Sequence, residues 1–332
     1  MIHAGQQPGG SRPICQESPK AVVLSVVVKP VGGPVFVRRC LNGLAPQVEG
    51  RPAEIIVPYD ITRSELGNLQ AEFPRVRFLA VGPVRTAARP GTEAAMHDIY
   101  DRLLAVGLGA AQGEILALLE DTVVPDSEWC SQVLEAHHLP YGVIGGAVEH
   151  VGESALNWAV YFLDFGRFQP PLREGPVAYL TDINVSYKRD ALATVRPLWE
   201  QSYHEVTVNW RLMRSGVILW QRPQIVVRQD RGPLHLAHTL RERLEWGKLF
   251  AQLRSQEVSP AKRALYAFGS PAIPLVMMGR TAYKALSTRR NRGRFLWSLP
   301  YLVVVTVAWC CGEFLGYVAG PRQRAPEERQ LE

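Results

Sequence analysis

Several signatures that fix a function at sight are missing from this sequence. No GxGxxG run follows its first apolar segment, which argues against a dinucleotide-dependent oxidoreductase. Cysteines number only five. Cys15, Cys40, Cys130, Cys310 and Cys311 fit neither a zinc-ribbon nor a CxxC spacing, which excludes a disulfide scaffold and argues against a thiol redox centre. A strong excess of one charge is lacking too: 37 Lys and Arg face 31 acidic residues, a net +6 that does not call for nucleic acid. Residues through Pro19 are rich in Gly, Gln, Ser and Pro and lack the apolar stretch of a secretory signal, so they read as a loose arm and the body as cytosolic. No internal repeat or long polar linker divides the chain.

What is present is a run of apolar segments with α/β rhythm. VVLSVVV after Ala21 suits a strand buried on both faces of a parallel sheet. VFVRRCLNGL reads as a helix, EIIV from Glu54 as a second strand, and VRFLAVG near residue 76 as a third. Ile99, Leu103, Val106 and Ala110 recur at helical spacing, and EILALLED supplies a strand that ends in Glu120 and Asp121. This alternation predicts a doubly wound, mostly parallel sheet whose site lies at the carboxyl ends of its strands. Beyond about residue 140 the pattern loosens into mixed strands and helices added to the same sheet, so one body is expected to run over 21–255.

The last part of the chain follows another rule. Mean hydropathy is −0.05, yet residues 295–320 carry one formal charge, Glu313, and are long enough as a helix to cross a hydrocarbon core of ~30 Å. Arg280, Lys284, Arg289, Arg290, Arg292 and Arg294 precede them. The positive-inside rule puts that flank in the cytosol. The expectation is therefore a basic juxtamembrane region over 256–294, a transmembrane helix over 295–320 and a polar tail over 321–332. Residues 264–278, broken by prolines, suit an interface-lying or re-entrant segment.

Carboxylates stand at the strand ends. Asp60 closes the EIIV strand, where it serves as a turn cap or meets a ligand. Glu120 and Asp121 offer hard oxygen ligands for Mg²⁺ or Mn²⁺ against a diphosphate, or form a solvated strand end. Glu205, after His204, fits a general base if partial burial raises its pKa, or a surface helix acid if not. Asn184 in a TDIN turn could orient a ligand. Arg222, Arg228, Arg241 and Arg243 add phosphate-binding capacity or simply face solvent.

In order and spacing, LSVVVKP, RRCLNGLAPQ, EIIVPYD, AAQGEILALLEDTVVPDSEW, VIGGAVEH, TDINVSYKR, HEVTVNWRLMRSG and RERLEWGKLFAQLR resemble the family 2 glycosyltransferases over residues 21–255. The resemblance implies a glycosyltransferase A-type nucleotide-sugar fold and inverting transfer from a nucleotide-diphospho-sugar to a hydroxyl of a lipid-linked or cell-envelope glycan. Pro30, Asp60, Glu120, Asp121, Asn184 and Trp246 would then hold the donor, Asp121 with Glu120 the metal, and Glu205 would be the base. The apolar run with its basic flank makes membrane lipids the expected partners and puts the site on the cytoplasmic side of the cell membrane, and the mild charge excess calls for no nucleic acid. Three departures stand out: PYD in place of paired aspartates, Thr122 at the last acidic position, and Gln229 where a histidine is expected. They motivate a degenerate scaffold as an alternative, and a nucleotidyltransferase-like enzyme is a second one.

Overall fold

A computed structural model describes residues 22–86, 88–89, 91–287 and 289–321; the expected N-terminal arm and the tail beyond residue 321 lie outside them. The apolar runs form strands where the sequence places them: β1 (Leu24–Lys29), β2 (Ala53–Asp60), β3 (Val76–Val81) and β4 (Ile115–Glu120). They pair in parallel in the order β3-β2-β1-β4. Two helices link them, α1 (Pro34–Val48) and α2 (Glu93–Ala110), the latter capped by Thr92, whose hydroxyl accepts the Ala95 N–H. The expected face of α2 is partly wrong, since Val106 is exposed while Asp98, Asp101 and Leu108 point inward.

Beyond β4 come β5 (Val123–Pro125), α3 (Trp129–Ala136), β6 (Val143–His150), α4 (Ala155–Asp164), β7 (Gly175–Pro176), β8 (Asn184–Lys188), α5 (Arg189–Ala193), α6 (Glu205–Arg214) and β9 (Leu219–Gln229). They complete a nine-stranded sheet, β3-β2-β1-β4-β8-β6-β9-β5 with β7 on β9. The sheet is mixed, which corrects the expectation of a mostly parallel one. β8 enters antiparallel between β4 and β6, and β5 and β7 both run antiparallel to β9. This reversal matters for the site, because the start of β8 then lies at the same edge as the end of β4, with Asn184 opposite Leu119.

The C-terminal layer comprises α7 (Leu236–Gln256), α8 (Pro260–Gly269), α9 (Ile273–Ser287) and α10 (Arg292–Ala319). By length and composition α10 could cross a membrane. It also packs closely against the body. A Cβ on Gly247 of α7 would lie 2.1 Å from the Trp309 carbonyl oxygen, and one on Gly312 2.0 Å from that of Leu244, so only glycine permits this approach of the two backbones. At its other end, Phe295 meets Phe162 of α4 edge-on at 5.5 Å.

Candidate active site

Lys29 ends β1 and Glu120 ends β4, side by side in register. A lysine at the end of a fully buried strand needs counter-charges, and it has two: Asp182 at 2.5 Å and Glu120 at 3.2 Å. All three side chains are at most 14% exposed. Burial alone would lower the Lys29 pKa, but Asp182 and Glu120 hold it well above the ordinary lysine value. Glu120 also accepts the Thr122 hydroxyl at 2.6 Å.

Glu205 is the first residue of α6 and is half-buried. Burial, reinforced by the nearby Asp182 carboxylate and opposed by Lys29, raises its pKa to about 7. That value suits a general base near neutrality. Tyr179 donates to its Oε1 at 3.2 Å. The preceding His204 places Nδ1 2.8 Å from Asp101 of α2, which ties the start of α6 to that helix.

The remaining expected residues have mixed fates. Asp60 keeps both carboxylate oxygens at work: Oδ1 accepts the Thr62 N–H and hydroxyl, and Oδ2 the Val84 N–H at 2.7 Å. Burial would raise its pKa, yet these bonds and Arg63 hold it below the usual range. Pro30 is buried beside it, its carbonyl accepting from Arg63 at 3.2 Å. Asp121 is fully buried and turned into the loop after β1, where its oxygens accept the Gly32 and Gly33 N–H groups at 2.9–3.2 Å. Burial raises its pKa to about 7 in spite of those bonds. Asn184 sits in the core, donating to the Ala147 and Ile225 carbonyls and accepting the Trp129 indole N–H. Trp246 of α7 meets His97 of α2 edge-on at 4.1 Å, and its indole N–H is buried without a partner among the described residues. Gln229, in the expected histidine position, instead bonds His150.

The pair expected to hold a divalent cation already has partners here: Asp121 accepts the Gly32 and Gly33 amides, and Glu120 pairs with Lys29. No cluster of three or more metal-ligating side chains occurs among the described residues. Of the expected arginines, Arg222, Arg228 and Arg243 are paired with acids, at 2.5–3.1 Å for their nearest contacts. Lys29 and Arg63 lie at this edge, and the half-buried Arg231, paired with Glu242, also acts on Glu120.

Sequence reasoning singled out Asp60, Glu120, Asp121 and Glu205 but missed Lys29, Asp101, Tyr179 and Asp182, of which Lys29 and Asp182 pair with or act on Glu120 and Glu205. Two signals were readable in part. Lys29 is a charge closing an otherwise apolar strand, and Asp182 stands in the TDIN turn two residues from Asn184.

No family model matches the chain, and no curated protein matches its sequence. Among solved structures it resembles a mannosyltransferase from Pyrobaculum calidifontis, determined in complex with GDP-Man and Mn²⁺. The likeness has a TM-score of 0.50 at 15% identity and covers 93% of this chain and 90% of that one. At that identity it shows a shared fold.

Proposed function

We propose that the protein is an inverting glycosyltransferase that moves a sugar from a nucleotide-diphospho-sugar to an acceptor hydroxyl. The observation that carries this reading is Glu205: a carboxylate poised near pH 7 at the edge of a fold shared with a nucleotide-sugar enzyme. Glu205 takes the acceptor proton as the acceptor oxygen bonds to the anomeric carbon. The bond from that carbon to the diphosphate oxygen breaks with its electron pair, and attack from the opposite face inverts the centre. Asp60 and the Pro30 region border the nucleotide, Trp246 offers its indole N–H to a sugar, and Lys29 with Arg63 balances charge on the departing diphosphate. The acceptor we favour is a lipid-linked or cell-envelope glycan, met at the cytoplasmic face of the cell membrane.

Glu205→Gln tests the assignment. Transfer should fall by ~10²–10⁴-fold while binding of the donor, found by screening nucleotide-sugars, is retained. Near-normal turnover would remove Glu205 as base. The engaged state of Asp121 favours a second reading, a scaffold without catalysis; failure of the folded protein to bind any nucleotide-sugar, with Mn²⁺ present or chelated, would support it.

A further inference from the structure

From Leu296 to Val318 the outward side of α10 is largely apolar. Leu296, Trp297, Tyr301, Val304, Val307, Phe314 and Val318 recur at intervals of one turn and are 39–63% exposed. The stripe runs for about 33 Å at 1.5 Å per residue. The same helix hides its polar groups: Ser298, Thr306 and Glu313 face inward, Glu313 accepting the Trp309 indole N–H at 2.6 Å. On the neighbouring helices Phe268, Leu275 and Tyr283 are 87%, 77% and 79% exposed. An apolar surface of this extent marks an interaction site.

Charge says what covers it. Between Glu257 and Glu313 the sequence holds eight Lys and Arg and no Asp or Glu. Lys262, Arg280, Arg292 and Arg294 are exposed on the helices that carry or flank the stripe. Beside α8 opens a cavity of about 350 Å³ lined by Arg214, Arg254, Lys262 and Tyr266, with Glu257 already paired to Arg214. Three cations and one committed acid leave room there for a phosphate. A second copy of this chain would bring the same positive charge to the contact, whereas an anionic bilayer complements it.

Packing says how α10 lies. It touches the body at both ends, on α4 through Phe295 and on α7 through Gly312 and Gly316. A crossing orientation would draw α7 into lipid with its exposed Arg241 and Lys248.

We propose that α8, α9 and the outer face of α10 form one in-plane docking surface for an anionic bilayer, and that α10 lies along the membrane instead of crossing it. This deepens the membrane part of the reading above and does not depend on the transfer chemistry.

The test uses the full chain with vesicles of phosphatidylcholine alone or with ~30% phosphatidylglycerol. Flotation with the anionic vesicles, release by alkaline carbonate and quenching of tryptophan fluorescence by lipids brominated near the headgroup end are expected. Phe268→Asp combined with Val304→Asp should abolish flotation with the thermal transition unchanged, and Lys262→Gln should weaken binding to anionic vesicles ~5-fold. Glu205→Gln should float as the parent does, which separates failure of docking from failure of catalysis. Resistance to carbonate would overturn the in-plane geometry. Equal binding to both vesicle types would overturn the anionic preference, and a stable dimer that ignores vesicles would replace lipid by a second copy.

Discussion

The sheet edge and the C-terminal helix layer sort polar and apolar groups in opposite directions. At the edge, Lys29, Glu120, Asp182 and Asp101 are drawn inward to form one electrostatic cluster, and Glu205 owes its raised pKa first to burial and then to the Asp182 carboxylate of that cluster. On α10 the outward positions are Val, Leu, Phe and Trp, and Glu313 is the group turned in. Both regions obey the rule that a buried charge needs a partner. They differ in what they turn outward: at the edge the charges are gathered in, and on the helix the apolar side chains are left out.

Three perturbations probe that contrast, beginning with the largest expected effect. Lys29→Met leaves Glu120 and Asp182 facing each other without a counter-charge; urea unfolding should show a loss of about 3–5 kcal/mol at pH 7. A loss under 1 kcal/mol would mean that the cluster is not held by the lysine. On the helix side, Gly312→Val drives a side chain into the Leu244 carbonyl and should cost ~2–3 kcal/mol. Val304→Ala, on the outward face, should stay within ~0.5 kcal/mol in detergent-free buffer. Equal costs for the two would erase the inward and outward distinction.

A further effect concerns pH. The folded state holds a proton on Glu205 up to about pH 7, whereas the unfolded chain loses it near the ordinary carboxyl value. The native state therefore binds more protons in that window, and stability falls as pH rises through it. Glu205→Gln should match the parent at pH 4 and exceed it at pH 8, by on the order of 1–3 kcal/mol. Identical pH profiles would show that the Glu205 pKa is not raised by its buried setting.

Much of this was legible in the sequence. Buried parallel strands announce themselves as continuous β-branched runs, so β1, β2 and β4 were readable, and with them the strand ends that carry Asp60 and Glu120. The reversal of β8 was not, because pairing direction is set by the partner strand and NVSYK carries no mark of it. The Lys29 pairing with Asp182 joins residues 153 positions apart, a contact no local pattern encodes. Residue type and strand position marked Asp121 as a candidate metal ligand; its turn into the loop after β1 is a matter of side-chain direction, which no sequence pattern shows. For α10, hydropathy measured a helix fit for lipid but could not register that α7 and α4 already cover one side of it.

The glycine contact between α7 and α10 has a consequence for anyone shortening the chain. Deleting residues 292–321 is the obvious way to seek a detergent-free preparation, yet it would strip the cover from Gly247 and Ala251 on α7. Trp246 is next in line, against His97, one helical turn from the Asp101 that holds His204. The segment that looks dispensable props up the helices behind the candidate site, and a more polar version of this protein calls for recolouring the outer face of α10 residue by residue while leaving its inner face intact.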